Sequence, residues 1–229
     1  MGGLNVKNTM VERVLQIVAP HPCSGCGKVG TILCEDCKYD IINEPFSGCI
    51  LCGSYTLYGI CEAHASPITR AFTVGTRSGA LEELINRLKF HYAKAAARPL
   101  ADLFNEVLPL LPDGSILTFV PTVRAHIRER GYDHIGLVAT YFSLLREMPL
   151  TSLLRRRTKI TQHTATREAR QLQVVDTFEA MDGVDIREKV VLLLDDVVTT
   201  GATLQAAALK LVGMGATVWV ATLAYQPLD

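Results

Sequence analysis

The segment 191–203 constrains the fold more than any other part of the chain. It reads Val-Leu-Leu-Leu-Asp-Asp-Val-Val-Thr-Thr-Gly-Ala-Thr. Four consecutive apolar residues predict a buried strand of a parallel sheet, with two aspartates at its carboxyl end. A short hydroxyl-rich loop then leads into an Ala- and Leu-rich segment that predicts a helix over 202–212. A strand–loop–helix unit of this kind indicates an α/β protein.

The loop of this unit has the chemistry of an anion site. Ligands of open α/β sheets bind at the carboxyl ends of the strands, and the N–H groups at a helix N-terminus bind phosphate. The hydroxyls of Thr199, Thr200 and Thr203 add donors. Two aspartates beside a phosphate suit a sugar diol, with Mg²⁺ shared among the ligand's oxygens. A phosphorylated ribose meets both requirements.

The cysteines predict a second, smaller module. All seven fall between Cys23 and Cys61, in three Cys-x2-Cys pairs and one Cys-x2-His pair. Two such turns can surround one Zn²⁺, and four protein ligands leave no open position, so the expected role is structural. Disulfides are less favoured, because a cytoplasm keeps thiols reduced and a histidine completes the set. The eight expected ligands are Cys23, Cys26, Cys34, Cys37, Cys49, Cys52, Cys61 and His64.

The cysteine spacing leaves two questions open. The first is whether both zinc sites are filled. The second is whether the four turns pair in sequence order or cross over. Glycines follow Cys26 and Cys52, as expected where the turn needs a backbone angle that other residues avoid.

Length and charge narrow the class of protein further. The 229 residues suit one α/β domain with a small appendage. We place the appendage at 1–66, as an N-terminal helix and a double zinc ribbon, and the α/β domain at 67–229. The formal net charge is zero, which argues against a long-range electrostatic attraction of nucleic acid by the whole protein, although 155–170 carries a local excess of basic residues.

No apolar run reaches the roughly 18 residues of a membrane helix, and no secretory signal is recognised. We expect a cytoplasmic protein without membrane insertion.

Hydrophobic periodicity predicts alternating strands and helices, and therefore a doubly wound parallel sheet. The expected helices cover 10–18, 81–88, 100–107, 134–146 and 202–212, and the expected strands cover 72–75, 116–120, 191–194 and 217–224.

Several stretches resemble a known family. The segment 191–203 resembles the phosphoribosyl-diphosphate (PRPP) motif of type I phosphoribosyltransferases at thirteen consecutive positions. Together with the paired zinc ribbons, three further stretches resemble the ComF family (ComFC and GntX-type proteins). They are Leu-Ile-Asn-Arg-Leu-Lys-Phe-His-Tyr at 84–92, Val-Pro at 120–121 followed by Arg-Glu-Arg-Gly-Tyr-Asp-His at 128–134, and the Arg-x-Arg-x-Lys-x-Thr-Gln run at 155–162.

This resemblance implies a type I phosphoribosyltransferase-like domain that binds PRPP with Mg²⁺, in a protein linked to DNA uptake and natural transformation. Transferase activity is left open, and the acceptor is not identified. The alternative is a single-stranded DNA-binding or PRPP-sensing protein of the competence machinery, with competence or helicase proteins as partners. The implied catalytic residues are Asp195 and Asp196, and the implied PRPP-binding residues are Val198, Thr199, Thr200, Gly201, Ala202, Thr203, Arg130, Gln162 and Arg167.

The chain departs from the family pattern near the implied substrate site. Asp133-His134 replaces the usual Asn-Gln, Val123 replaces a second proline, and Gln173 replaces an asparagine. A lone histidine is more often structural than catalytic, so His134 is given no role from the sequence. The polar stretch 158–170 suits a mobile cover, in which Gln162 and Arg167 would contact pyrophosphate or the acceptor.

Overall fold

The computed structural model describes residues 20–157, 177–181 and 183–227. Four parallel strands form the main sheet in the order β1-β6-β5-β2, and β3 and β4 form a separate antiparallel pair. The strands are β1 (Ile68–Thr76), β2 (Ile116–Phe119), β3 (Leu154–Arg156), β4 (Phe178–Ala180), β5 (Val190–Val198) and β6 (Thr217–Tyr225).

Helices cover both faces of this sheet. Those described are α1 (Glu35–Asn43), α2 (Gly79–Phe90), α3 (Ala97–Val107), α4 (Arg124–Arg130), α5 (His134–Arg146) and α6 (Ala202–Gly213), with a 3₁₀ turn at Lys94–Ala96. Helices α2, α3 and α5 pack into one hydrophobic core, and α6 packs with β3 and β4 into the other. The predicted α/β class, with a parallel sheet and an N-terminal cysteine-rich module, is confirmed.

The central strand β5 divides its side chains between the two cores. Leu192 and Leu194 lie in the core formed with α2, α3 and α5, whereas Val191 and Leu193 lie in the core formed with α6. Alternation of this kind follows from the two-residue period of a strand. A continuous apolar run is therefore what a strand with both faces covered requires.

The predicted boundary of this strand was too short. Strand β5 continues through both aspartates to Val198, which lies opposite Tyr225 of β6, while Asp195 lies opposite Thr222. The backbone stays in the sheet because β6 extends alongside it and offers hydrogen bonds beyond the apolar run. The two carboxylates thus lie within the last part of the strand, before the loop.

The cysteine-rich module packs directly against the sheet. The backbone oxygen of Tyr58 accepts a hydrogen bond of 2.8 Å from the N–H of Ala71 in the edge strand β1. The ring of Phe46 stacks on that of Tyr225, with 4.2 Å between the ring centres. Ile50 is fully buried in the core that contains α6. The module therefore contributes side chains and backbone contacts to the sheet, and the boundary at residue 66 stays a prediction.

Two further expectations concern helices. The predicted helix at 10–18 lies outside the described residues. Across the part of the chain that the structure describes, no helix is both long enough and apolar enough to traverse a bilayer.

Candidate functional site

The loop between β5 and α6 presents backbone and hydroxyl donors of the kind that bind an anion. Thr199 and Thr200 are exposed, and Gly201 turns the chain with φ of +69°, a left-handed conformation that glycine adopts without strain. The hydroxyl oxygen of Thr200 accepts a hydrogen bond of 3.3 Å from the N–H of Ala202. The first N–H groups of a helix have no partner within the helix, so α6 directs donors toward this loop.

The other predicted residues of this segment take different positions. Thr203 is exposed on the first turn of α6. The side chain of Val198 is 2% exposed and belongs to the core with α6. Its backbone oxygen accepts a hydrogen bond of 2.9 Å from the N–H of Gln226. Val198 therefore supports the start of the loop through its backbone, and its side chain lies in the core.

Asp196 is held by two basic side chains from the sheet's covering helices. Its Oδ2 lies 2.8 Å from Nζ of Lys89 in α2, and it also pairs with Nε2 of His134 in α5. Its Oδ1 accepts a hydrogen bond of 2.6 Å from the N–H of Val197. Burial opposes ionisation, but the bond from His134 and the charge of Lys89 hold the pKa of Asp196 well below its usual value. Asp196 is therefore a carboxylate with both oxygens engaged.

Arg130 orients the histidine of this network. Its Nη1 lies 2.8 Å from Nδ1 of His134. A guanidinium only donates, so Nδ1 must accept and the ring proton must sit on Nε2, facing Asp196. His134 is 6% exposed, and Asp133 before it caps α5 by accepting the N–H of Gly136 at 3.2 Å. Of the residues that depart from the family pattern, His134 therefore contacts Asp196, and Asp133 caps the helix that carries it.

Asp195 has a different charge state from its neighbour. Burial, followed by the negative charge of Asp196, raises the pKa of Asp195 to about 8, against the opposing charges of Lys89 and Arg156. Its Oδ1 accepts the N–H of Asp196 at 2.9 Å. At neutral pH the pair therefore holds one negative charge on Asp196 and a carboxyl on Asp195 that a nearby cation can ionise.

Two residues beside the aspartates were not placed at this site from the sequence. Lys89 was visible only as part of a motif on a predicted helix, and Arg156 only as one of several basic residues. Arg156 donates a hydrogen bond of 3.1 Å from Nε to the backbone oxygen of Pro121, and its guanidinium lies 5.0 Å from the ring centre of Phe178. Burial lowers the pKa of Arg156 while the charge of Asp195 raises it. Both residues come close to Asp195 and Asp196 only because the chain folds segments that are distant in sequence against each other.

The other arginines near the site, together with Gln162, lie in three places. Arg124 and Arg128 are exposed on α4, whereas Arg130 is half-buried against His134. Arg155 forms an exposed ion pair of 2.8 Å with Glu179 across the β3–β4 pair. Gln162, Arg167 and the rest of the expected cover at 158–170 lie outside the described residues.

The predicted metal ligands form two clusters in sequence order. In each cluster the four ligand atoms lie within 4.8 Å of one another, and the two sets are Cys23, Cys26, Cys34 and Cys37, and Cys49, Cys52, Cys61 and His64. These are called the first and second cluster below. Sulfur–sulfur distances of 3.6 and 3.7 Å within the first cluster approach the roughly 3.8 Å edge of a tetrahedron with Zn–S bonds of about 2.3 Å.

The local chemistry also fits a metal ion. Nε2 of His64 is buried without a hydrogen-bond partner, as expected for an imidazole nitrogen that a cation would complete. Burial opposes ionisation of Cys23, but N–H groups of Cys34 and Gly25 donate to its sulfur and lower its pKa to about 6. A thiolate is the form that binds metal. Gly27 and Gly53 have positive φ, as the spacing predicted.

Comparisons with known proteins yield one distant structural similarity. No protein-family model and no curated protein matches the chain. One solved structure that is similar is a hypoxanthine phosphoribosyltransferase from Staphylococcus aureus, at 14% sequence identity and a TM-score of 0.30, over 65% of this chain and 74% of that chain. Function is therefore argued below from the residues of the site.

Proposed function

We propose that the chain binds PRPP at the carboxyl end of β5 and transfers its phosphoribosyl group to an acceptor. The single observation that carries the proposal is the pairing of Asp195 and Asp196 with the hydroxyl-rich loop at the start of α6. A diacid suits the ribose diol, and a loop of N–H and hydroxyl donors suits the 5′-phosphate. The match of 191–203 to the PRPP motif agrees with this assignment.

The two carboxylates have separate roles in this proposal. Both oxygens of Asp196 are already bonded to Lys89, His134 and the N–H of Val197. Its role is therefore to orient these basic groups at the carboxyl end of the sheet. Asp195 has a raised pKa and an oxygen available for a ribose hydroxyl or a cation. We therefore assign contact with the ribose and with Mg²⁺ chiefly to Asp195.

Transfer breaks the bond between the anomeric carbon and pyrophosphate, so negative charge grows on the leaving group. Cationic groups fixed before the reaction stabilise such charge without reorganising. Lys89 and Arg130 are held in place by Asp196 and His134 and are our candidates for this task. Mg²⁺, when bound with PRPP, would neutralise pyrophosphate charge in the same region.

The test is calorimetric titration of the full chain with PRPP and Mg²⁺. Asp195→Asn should weaken binding at least tenfold, because an amide is neutral and cannot replace an ionised carboxylate toward a metal or a diol. The exposed Asp113→Asn is the matched control and should bind as the unmodified chain does. Absence of PRPP binding by the unmodified chain would refute the proposal.

The pH dependence gives an independent check on Asp195. Because its pKa is raised to about 8, the carboxyl is mostly protonated at pH 7 and ionised at pH 9. PRPP–Mg²⁺ affinity of the unmodified chain should therefore increase from pH 7 to 9, and the Asp195→Asn variant should lose most of that increase. A flat profile in the unmodified chain would remove the assignment of Asp195.

Several finer expectations belong to the same proposal. We propose Zn²⁺ as the metal of both clusters, on the donor set and the unpartnered His64 nitrogen. The ComF resemblance supports a link to DNA uptake, and the acceptor has to be found by screening for pyrophosphate release. Arg155 and Arg156 are already bonded within the protein, which counts against both as free contacts for a nucleic-acid backbone.

A further inference from the structure

The loop at 199–201 lies against Leu51, in the turn that joins two ligands of the second cluster. Leu51 lies between the ligands Cys49 and Cys52. A Cβ placed on Gly201 would lie 2.2 Å from Cδ2 of Leu51 and 3.6 Å from the backbone oxygen of Ile50. Leu51 therefore fills the space beside Gly201, at the point where the loop turns into α6.

The backbone around Leu51 is fixed by the cluster's own hydrogen bonds. The N–H of Gly53 donates to the oxygen of Cys49 at 2.7 Å, and the N–H of Ile50 donates to the oxygen of Gly59 at 2.9 Å. Cys49 and Ile50 are both fully buried. A metal bound between the cysteine pairs would join the two ends of this turn and hold Leu51 in one position.

The module around this turn also packs against strands β1 and β6. A Cβ on Gly59 would lie 2.0 Å from the backbone oxygen of Ala71 in β1, so the module sits tightly on the edge strand. Gly53 lies beside the hydroxyl of Tyr225, which is the residue opposite Val198 in the sheet. The turn that carries Leu51 therefore has contacts both at the end of β6, next to Val198, and at Gly201.

We propose that Leu51 is a positioning residue for the 199–201 loop, and that metal occupancy of the second cluster thereby controls phosphate binding. The inference rests on the proposed function, because it takes this loop as the site of the ribose 5′-phosphate. Donors that are held in place before binding spare the ligand the cost of ordering them. Without the leucine or the metal, the loop samples more conformations and binds phosphate less tightly.

The first experiment titrates the full chain with ribose 5-phosphate by calorimetry. Leu51→Ala should lower affinity about tenfold while zinc content and the circular dichroism spectrum stay as in the unmodified chain. Leu51→Met should largely restore affinity, since it refills the space beside Gly201. The matched control is Leu57→Ala, which alters a side chain of the same module that is 78% exposed.

The second experiment removes one ligand from each cluster in turn. Cys26 and Cys52 are both exposed and hold equivalent places in their clusters. Each Cys→Ser variant should lose about one zinc ion per chain by metal analysis. Cys52→Ser should also lose affinity for ribose 5-phosphate, whereas Cys26→Ser should keep more of it.

The outcomes separate the inference from the proposed function. Ribose 5-phosphate binding that is equal in the unmodified chain and in Leu51→Ala would overturn the role of Leu51 and leave the proposed function standing. Equal losses in Leu51→Ala and Leu57→Ala would overturn it as well. An unmodified chain that binds neither ribose 5-phosphate nor PRPP would refute the proposed function, and the inference with it.

Discussion

Asp195 and Asp196 are neighbours in sequence that face opposite sides of the sheet, because successive side chains of a strand alternate. Asp196 lies on the side of α2 and α5, where Lys89 and His134 reach it. Asp195 lies on the side of the β3–β4 pair, where the charge of Arg156 acts on it. The difference in their pKa values therefore follows from strand geometry and from which helix or strand covers each face.

Lys89 gives a prediction at the residue scale. Lys89→Met should lower the free energy of unfolding at pH 7 by about 1–3 kcal/mol, because it removes a charged partner from a buried carboxylate. The measurement is urea denaturation, with the exposed Lys189→Met as control, for which we expect a change within about 0.5 kcal/mol. The ion pair between Lys89 and Asp196 would be shown to be energetically unimportant if both variants unfolded alike.

The longest strands of the sheet, β1, β5 and β6, are each nine residues long and lie side by side, so β5 is paired along the part that carries Asp195 and Asp196. Strand β6 pairs with β5 on one side and with β1 on the other. Next to the diacid, the buried hydroxyls of Thr73 in β1 and Thr222 in β6 are 2.8 Å apart. This hydrogen bond joins two strands within the core, at the register position opposite Asp195.

The threonine pair gives a prediction at the scale of the strands. Thr222→Val alone should destabilise the protein by about 1–3 kcal/mol, because it leaves a buried hydroxyl of Thr73 without its partner. Replacing both residues by valine should be close to neutral, since two apolar groups of the same shape meet. A double-mutant cycle by denaturation measures the difference, and additive losses would contradict this account.

At the scale of the whole molecule, the cysteine-rich module and the sheet share their cores. Ile32 and Leu33 belong to the core with α2 and α3, and Ile50 belongs to the core with α6. Each cluster also abuts the carboxyl edge of the sheet, since Gly25 packs on Ala80 and Leu51 on Gly201. Loss of metal should consequently destabilise the sheet as well as the module.

Metal removal provides the corresponding prediction. Metal analysis should give close to two zinc ions per chain, and one ion would mean that one cluster is vacant. A strong chelator should lower the midpoint of thermal unfolding by several degrees, because metal binding contributes to the folding free energy of its module. The measurement is calorimetry with and without chelator. An unchanged main transition after zinc release would show that the sheet is independent of the module.

The four strands of the main sheet, the longer helices that cover it and the metal ligands could be predicted from the sequence because their signals are local. Apolar runs and periodicity depend on a few neighbouring residues, and paired cysteines are recognised by their spacing. This is why α5 was predicted with its observed bounds and why the eight ligands were identified. The β3–β4 pair was missed, since strands of three residues are too short for any periodicity to appear. Helices α1 and α4, of nine and seven residues, were missed as well.

The charge state of the site and its supports depend on the tertiary structure alone. Lys89 and His134 come from different helices, and they meet Asp196 only because α2 and α5 cover the same face of the sheet. Leu51 and Gly201 are 150 positions apart and touch only because the module docks beside β6. The sequence by itself determined which chemical groups are present and the order of the strands and helices. Packing decided which of those groups meet, because burial and proximity set pKa values and contacts that no local pattern encodes.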